Sequence, residues 1–337
     1  VRSAEPLFCE TQKRGRALST ITLIGAVLGV LALAAVSLFI GVAEFSLSDL
    51  LSGQDKAAEV FAISRIPRTV SLILAGTALA VAGLIMQMMA RNKFVEPSTA
   101  GTVESASLGL LLITLAVPNA SIFLKMSAGS VMALLGTGLF LLILTRLPLR
   151  NTLFVPLIGL MLGGVIASIS TFIAYGSNLL QTLNAWTTGD FSAVLKGRYE
   201  LLWIVGILTL IAYIAADRFT VVGLGQDFTT SLGMSYGKIM AIGLTIVALV
   251  TAVVVVTVGA IPFLGLIVPN LVTLLFGDNV RRGVPWVAVL GAGLVLLCDV
   301  VGRIIIFPAE IPIGLTMGVL GSGLFLFLLL WGSKREY

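Results

Sequence analysis

Three arginines and two carboxylates carry most of the chemistry this chain can offer. Arg65 and Arg68, in Arg65-Ile66-Pro67-Arg68, precede one apolar run, and Arg303 closes another. A guanidinium is permanently charged and presents a planar fork of donors. At a membrane edge it either anchors the chain by snorkelling or receives the carboxylate of a partner. Spacing alone leaves both open. Asp299 stands four residues before Arg303, the separation at which side chains meet on one helix face, and pairing lowers the cost of both charges. Glu104, in Glu104-Ser105-Ala106-Ser107-Leu108-Gly109, has no opposite charge close in sequence. It is either a functional intramembrane carboxylate or a neutral, hydrogen-bonded core group. The chain contains no histidine, so the commonest metal ligand and the usual proton relay near neutrality are missing. No metal-ligand cluster and no nucleophile beside a base stands out, so neither a metal site nor an enzymatic centre is expected.

The elements that position these residues are membrane helices. The chain is 58% hydrophobic and 11% charged, against about 25% charged for an ordinary soluble domain. Its mean hydropathy is +1.09. Apolar windows of about 20 residues, shorter where protein surrounds them, predict an all-α integral membrane fold of about ten transmembrane helices. They fall near 19–43, 69–90, 98–117, 124–145, 153–175, 201–217, 238–260, 263–276, 286–306 and 313–332. One transmembrane domain over 19–332 follows, with a polar tail at 1–18 and a short one at 333–337. The first apolar run is longer than a signal core and ends without a small-residue cleavage site, so it reads as a retained helix. Cys9 and Cys298 lie in unlike surroundings, which argues against a disulfide framework.

The run Gly259-Ala260-Ile261-Pro262-Phe263-Leu264-Gly265-Leu266-Ile267-Val268-Pro269-Asn270 is apolar yet cannot be one smooth helix. Irregular backbone survives at membrane depth only where other protein surrounds it or a cavity is lined. Gly259 and Pro262 are expected to end the seventh span, with Gly265 to Phe276 forming a short helix.

Lysine and arginine set the orientation. With the N-terminus inside and ten spans, the cytoplasmic side holds fourteen of the twenty-one basic residues. The outer side holds Lys56, Arg65, Arg68, Lys125, Lys196, Arg198 and Arg303. Both termini are then cytoplasmic. The segment 223–237 falls in a cytoplasmic loop, where Gly225 ends one turn, Asp227 caps a short amphipathic helix and Leu232-Gly233 stops it. Such a helix is either a plain connector or the piece a membrane subunit offers to a motor. The chain has no Gly-x-x-x-x-Gly-Lys-Ser/Thr loop, so any ATP used in transport is hydrolysed by another chain.

Taken in order, the motifs resemble the permease subunits of ABC importers for iron-siderophores, haem and vitamin B12, the type II importer fold. The resemblance runs from about Arg65 to Trp331. It rests on Arg65-Ile66-Pro67-Arg68-Thr69 with Gly76 and Gly83; Gln87, Arg91-Asn92 and Glu96-Pro97; and Trp186-Thr187-Thr188-Gly189-Asp190-Phe191. It continues with Leu224-Gly225 ahead of Ser231-Leu232-Gly233, the run from Gly259 to Asn270, Gly291-Ala292 with Asp299 and Arg303, and Glu310-Ile311-Pro312-Ile313-Gly314. It implies a second permease, as a homodimer or heterodimer, two cytoplasmic ATPases carrying ATP-Mg, and an extracytoplasmic substrate-binding protein. No cofactor bound by this chain itself is implied. Arg65, Arg68 and Arg303 fall where the family presents arginines to the binding protein. Gln226, Asp227, Thr229, Ser231, Leu232 and Gly233 fall on the segment that couples to the ATPase. Gly259, Pro262, Gly265, Pro269, Asn270, Asp299 and Pro312 belong to its structural signature. The implied site is the bacterial cytoplasmic membrane.

Three positions depart from the family pattern. Asn270 stands where histidine is common, Lys93 where proline is frequent and Thr229 where alanine is usual. Asn270 donates and accepts but does not titrate near neutrality. The asparagine resembles a subgroup for catecholate-type or related siderophores, so a ferric siderophore is the expected cargo, ahead of haem or vitamin B12. The competing class is an ion-coupled secondary transporter, with Glu104 or Asp299 on the translocation path binding the coupling ion.

Overall fold

The computed structural model describes residues 5–40, 59–147, 154–197, 199–277 and 280–333, and all regular structure among them is helical. The end of the first predicted span at 41–43, the basic residues Lys56, Arg150 and Arg198, and most of the C-terminal tail lie outside the described residues.

Helix α1 (Glu5–Phe39) contains the apolar segment Ile21–Phe39, so the predicted polar tail is helical from Glu5 onward. A π-helical turn, Phe61–Arg65, runs directly into α2 (Ile66–Met89), with Pro67 at the junction, and the Ile63 carbonyl, four residues before the proline that has no N–H to offer, accepts the Lys196 amide at 3.0 Å. Then come α3 (Thr102–Ala116), α4 (Ile122–Arg146), α5 (Phe154–Gly176) and the short α6 (Leu180–Thr187). Helix α7 (Leu202–Ile214) meets α8 (Ala216–Gly223) at a bend of 63°. The chain continues through α9 (Gln226–Ser231), α10 (Tyr236–Val258), α11 (Leu264–Phe276), α12 (Val280–Ile305) and α13 (Ile313–Ser333).

Among the described residues six helices are long and apolar enough to cross a membrane, the bent pair counts as a seventh if it is one span, and Thr102–Ala116, Leu264–Phe276 and Ile313–Phe327 are shorter apolar helices. Together they cover the ten predicted segments. The sixth differs from expectation, because the helix predicted over 201–217 stops at Ile214 and turns aside.

Helix α2 is the axis of the packing. Its apolar window is 78% buried, against 11% for that of α1, which therefore lies at the periphery. Glycine lets two helices come against it. A Cβ on Gly76 would lie 2.7 Å from the Gly291 carbonyl oxygen of α12, and a Cβ on Gly265 of α11 would lie 2.9 Å from the Gly83 Cα. Both contacts are backbone on backbone, so no rotamer change could make room for a methyl group.

Candidate functional site

At the end of the bundle where α2 begins, five charged side chains converge. Arg68 donates through Nη2 (2.7 Å) and Nε (3.2 Å) to Asp299 Oδ1, and through Nη1 to Glu310 Oε2 at 2.7 Å. Asp299 Oδ2 accepts from Arg303, one helical turn along α12, as the spacing predicts. Arg303 also donates to Ser37 Oγ (2.5 Å) and to the Ser37 and Ile40 carbonyls (3.0 and 2.5 Å), tying the end of α1 to the cluster. Arg65, half-buried, donates to the Ile40 carbonyl. Arg303, expected beside Arg65 and Arg68 on a docking face, is only 3% exposed because α1 covers it. The bridge made by Arg68 and the part played by Glu310 come from residues 231 and 242 positions away, a distance no local spacing discloses.

Midway along the bundle two breaks in helical structure meet. The loop between α2 and α3 is buried at Asn92, Val95, Glu96, Pro97, Ala100 and Gly101 rather than lying in water. The seventh span ends at Val258 as expected, with Gly259 as the C-cap at φ +81°. Pro262 lies in the non-helical link, and α11 starts after Phe263, which is left-handed at φ +63°. Glu96, 2% exposed, accepts the Phe263 amide on Oε1 at 2.9 Å, so its carboxyl group sits at the N-terminus of α11. That arrangement satisfies a donor that a helix start leaves orphaned. Gln87 Nε2 donates to the Gly265 carbonyl at 3.2 Å, and Asn270 Nδ2 donates to the carbonyls of Leu266 and Lys93, each at 2.7 Å. Two of the three departures from the family pattern therefore touch each other. Pro269 lies inside α11 and is buried.

Glu104 lies on the third predicted span, 98–117, whose helix is shorter than expected. That helix starts at Thr102 after Gly101 at φ +77°, so Glu104 lies in its first turn. Its Oε2 has no partner among the described residues and faces the gap left by Gly163 of α5.

The far end, where α2 finishes, carries the short helices α8 and α9. Gly225, at φ +112°, occupies the N-cap of α9, and no side chain caps it. Asp227, predicted as the cap, lies inside the first turn instead, since glycine alone accepts that backbone angle without strain. Leu232 and Gly233 close the helix as expected, Gly233 at φ +73°. Thr229 is buried and its Oγ1 donates to the Gly225 carbonyl at 2.7 Å and the Val221 carbonyl at 3.2 Å, fixing α9 against α8. Gln226 and Ser231 face outward. Leu224 just before the break at Gly225, Phe228 on α9 and Leu232 at its C-cap are apolar yet 61%, 56% and 57% exposed. Leu224 belongs to the Leu224-Gly225 motif of the sequence, whereas Phe228 carries no motif signal of its own.

Pro312 stands immediately before α13, whose Gly314 amide donates to the Gly189 carbonyl at 2.9 Å. Gly189 in turn leaves no room for a Cβ, which would lie 2.5 Å from the Ala260 carbonyl oxygen, and the Asp190 amide donates to Val258 at 2.8 Å. The ends of α6, α10 and the start of α13 are thus knit backbone to backbone.

The FecCD transport family matches over residues 22–331. The petrobactin import system permease protein YclN of Bacillus subtilis (strain 168) is 50% identical over 298 residues, 88% of this chain and 94% of that protein. FatD of Bacillus anthracis, another petrobactin import system permease protein, is 42% identical, covering 92% of this chain and 91% of its own. The ferric-anguibactin transport system permease protein FatD of Vibrio anguillarum (strain ATCC 68554 / 775) is 41% identical over 91% of this chain and 98% of its own length. In fold, the chain matches a solved structure described as "an inward-facing conformation of a putative metal-chelate type ABC transporter", with a TM-score of 0.79, 23% identity, and coverage of 92% of this chain and 99% of that one. This multi-pass membrane chain belongs to the FecCD transport family.

Proposed function

We propose that this chain is the permease subunit of an ATP-driven importer that carries a ferric siderophore across the bacterial cytoplasmic membrane by alternating access. The observation that carries this reading is near-full-length likeness to permeases named for petrobactin and anguibactin uptake. Both termini are cytoplasmic, the Arg65 and Arg68 end faces outward, and α8 and α9 face the cytoplasm. Two ATPase subunits, each binding ATP-Mg, and a second permease, identical or related, complete the membrane complex.

Arg65 and Arg68 receive carboxylates of an extracytoplasmic binding protein, while buried Arg303 holds the cluster together through Asp299. The exposed side chains of Leu224, Phe228 and Leu232 seat the coupling segment, with Gln226, Asp227, Thr229, Ser231 and Gly233, in a groove of the ATPase. Exposed apolar side chains together on a water-facing loop are a recognised mark of an interaction site.

Reconstitution in proteoliposomes tests the assignment. Uptake of ferric petrobactin is expected only with ATP, the ATPase subunits and the binding protein present. The unpartnered Oε2 of Glu104 favours the ion-coupled alternative. Uptake by this chain alone, driven by a proton or sodium gradient, would establish that alternative and overturn the importer. Phe228→Glu and Leu232→Glu are expected to abolish ATP-driven uptake while leaving the chain folded in the membrane.

A further inference from the structure

We infer that Glu310 is an internal stand-in for the docking carboxylate: it holds Arg68 at rest and is displaced when an acidic side chain of the binding protein arrives. The inference rests on the docking role proposed above for Arg65 and Arg68.

Arg68 divides its fork between two acids of unlike accessibility. Asp299 takes Nε and Nη2 with a side chain that is 0% exposed, so nothing outside can reach or replace it. Glu310 takes Nη1 and its side chain is 24% exposed. Only the Glu310 edge of Arg68 is therefore open to exchange. The exchange is chemically balanced, since one carboxylate replaces another on the same guanidinium. The expelled Glu310 is already partly in water, so its release costs little desolvation. Three guanidinium groups face two carboxylates among the described residues of the cluster, so an incoming acid meets surplus positive charge.

Exchange would alter more than the contact itself. Glu310 sits in the turn between α12 and α13, whose residues from Ile304 to Ala309 are exposed. The described backbone ties of this turn are the Ala309 amide to the Ile306 carbonyl at 2.8 Å and the Ile311 amide to the Gly302 carbonyl at 3.0 Å. Releasing Glu310 removes the side-chain tie that joins the turn to α2. The first turn of α13 then loses its link to α2 while its Gly314 amide stays bonded to Gly189, in the segment after α6. Docking thereby changes which helices the start of α13 follows.

The test measures affinity of the binding protein encoded beside this chain, loaded with ferric siderophore, for the intact complex in nanodiscs. Glu310→Gln removes the internal competitor and is expected to tighten docking by about 1.5–5-fold, the range set by exposed ion pairs. Arg65→Glu is expected to weaken docking by roughly tenfold or more. If Arg65→Glu leaves affinity unchanged, the docking reading itself fails. If Arg65→Glu weakens docking but Glu310→Gln does not tighten it, the exchange is overturned and the docking reading stands. An independent readout avoids dependence on the folding of Glu310→Gln. Spin labels at exposed Ile63 and Ala309 are expected to move apart when the binding protein is added, and an unchanged distance overturns the exchange.

Discussion

Glu96 Oε1 accepts the backbone N–H of Phe263 at 2.9 Å, so a carboxylate from one broken loop starts a helix 167 residues later in the chain. Removing it leaves the Phe263 amide without that acceptor in a buried stretch of the chain. Each orphaned donor costs about 1–3 kcal/mol. Glu96→Ala is therefore expected to lower the thermal unfolding midpoint of the purified chain and to abolish uptake. Glu96→Gln keeps one acceptor oxygen and is expected to lose less. An unfolding midpoint for Glu96→Ala equal to that of the parent would remove the capping role.

Gly83 and Gly138 give a paired test of close approach. A Cβ on Gly83 would fall within the van der Waals envelope of the Gly265 backbone, whereas one on Gly138 meets nothing within 4 Å. Gly83→Ala is expected to cost ~3 kcal/mol or more, because two backbones must separate. Gly138→Ala is expected to be neutral or to stabilise by up to about 1 kcal/mol through helix propensity. Yield and thermal stability of the two variants, purified side by side, provide the comparison.

The buried charge cluster predicts strong coupling. Asp299→Asn leaves the Arg68 and Arg303 guanidinium groups without a full counter-charge, and breaking a buried pair by removing one partner costs about 3–5 kcal/mol. In a double-mutant cycle, Asp299→Leu with Arg303→Met is expected to cost clearly less than the sum of the single changes. Strict additivity would mean that the two side chains do not share an interaction in the folded protein.

Asn270 bridges two carbonyls through a single amide nitrogen, and neither of those oxygens can donate in return. Asn270→Ala should lose the bridge and reduce uptake. Asn270→Asp should be worse, because it sets a carboxylate against the Lys93 and Leu266 carbonyls, and repulsion replaces attraction. Uptake and thermal stability ranked as parent, Ala, Asp would support the bridge, whereas an Asp variant as active as the parent would discount it.

Much of this architecture was legible in the chain because it is written in local chemistry. Apolar windows located the helices, and Gly259 with Pro262 marked a break that lies within a few residues of its expected place. The i,i+4 spacing gave the pairing of Asp299 with Arg303. What stayed hidden depends on residues far apart in sequence. Nothing near Glu96 says that it caps α11, and nothing near Arg68 names Glu310 as its second partner. Gly76 and Gly83 were visible as motif residues, but their reason, a backbone of another helix lying against each, appears only in three dimensions. Asp227 was misplaced because two residue types compete for the same helix start, and the positive φ of Gly225 decided the outcome.

The bend at Ala215 has a mechanical consequence. A straight helix transmits a push along its own axis, but α7 and α8 meet at 63°, so a load applied to α9 acts on α7 through a short crank arm. The arm is stiffened where Thr229 bonds back to α8 and where Arg281 pairs with Asp217 at 2.8 Å across to α12. Sideways displacement at one end of the bundle thus becomes torque on a helix within it, with Ala215 as the elbow.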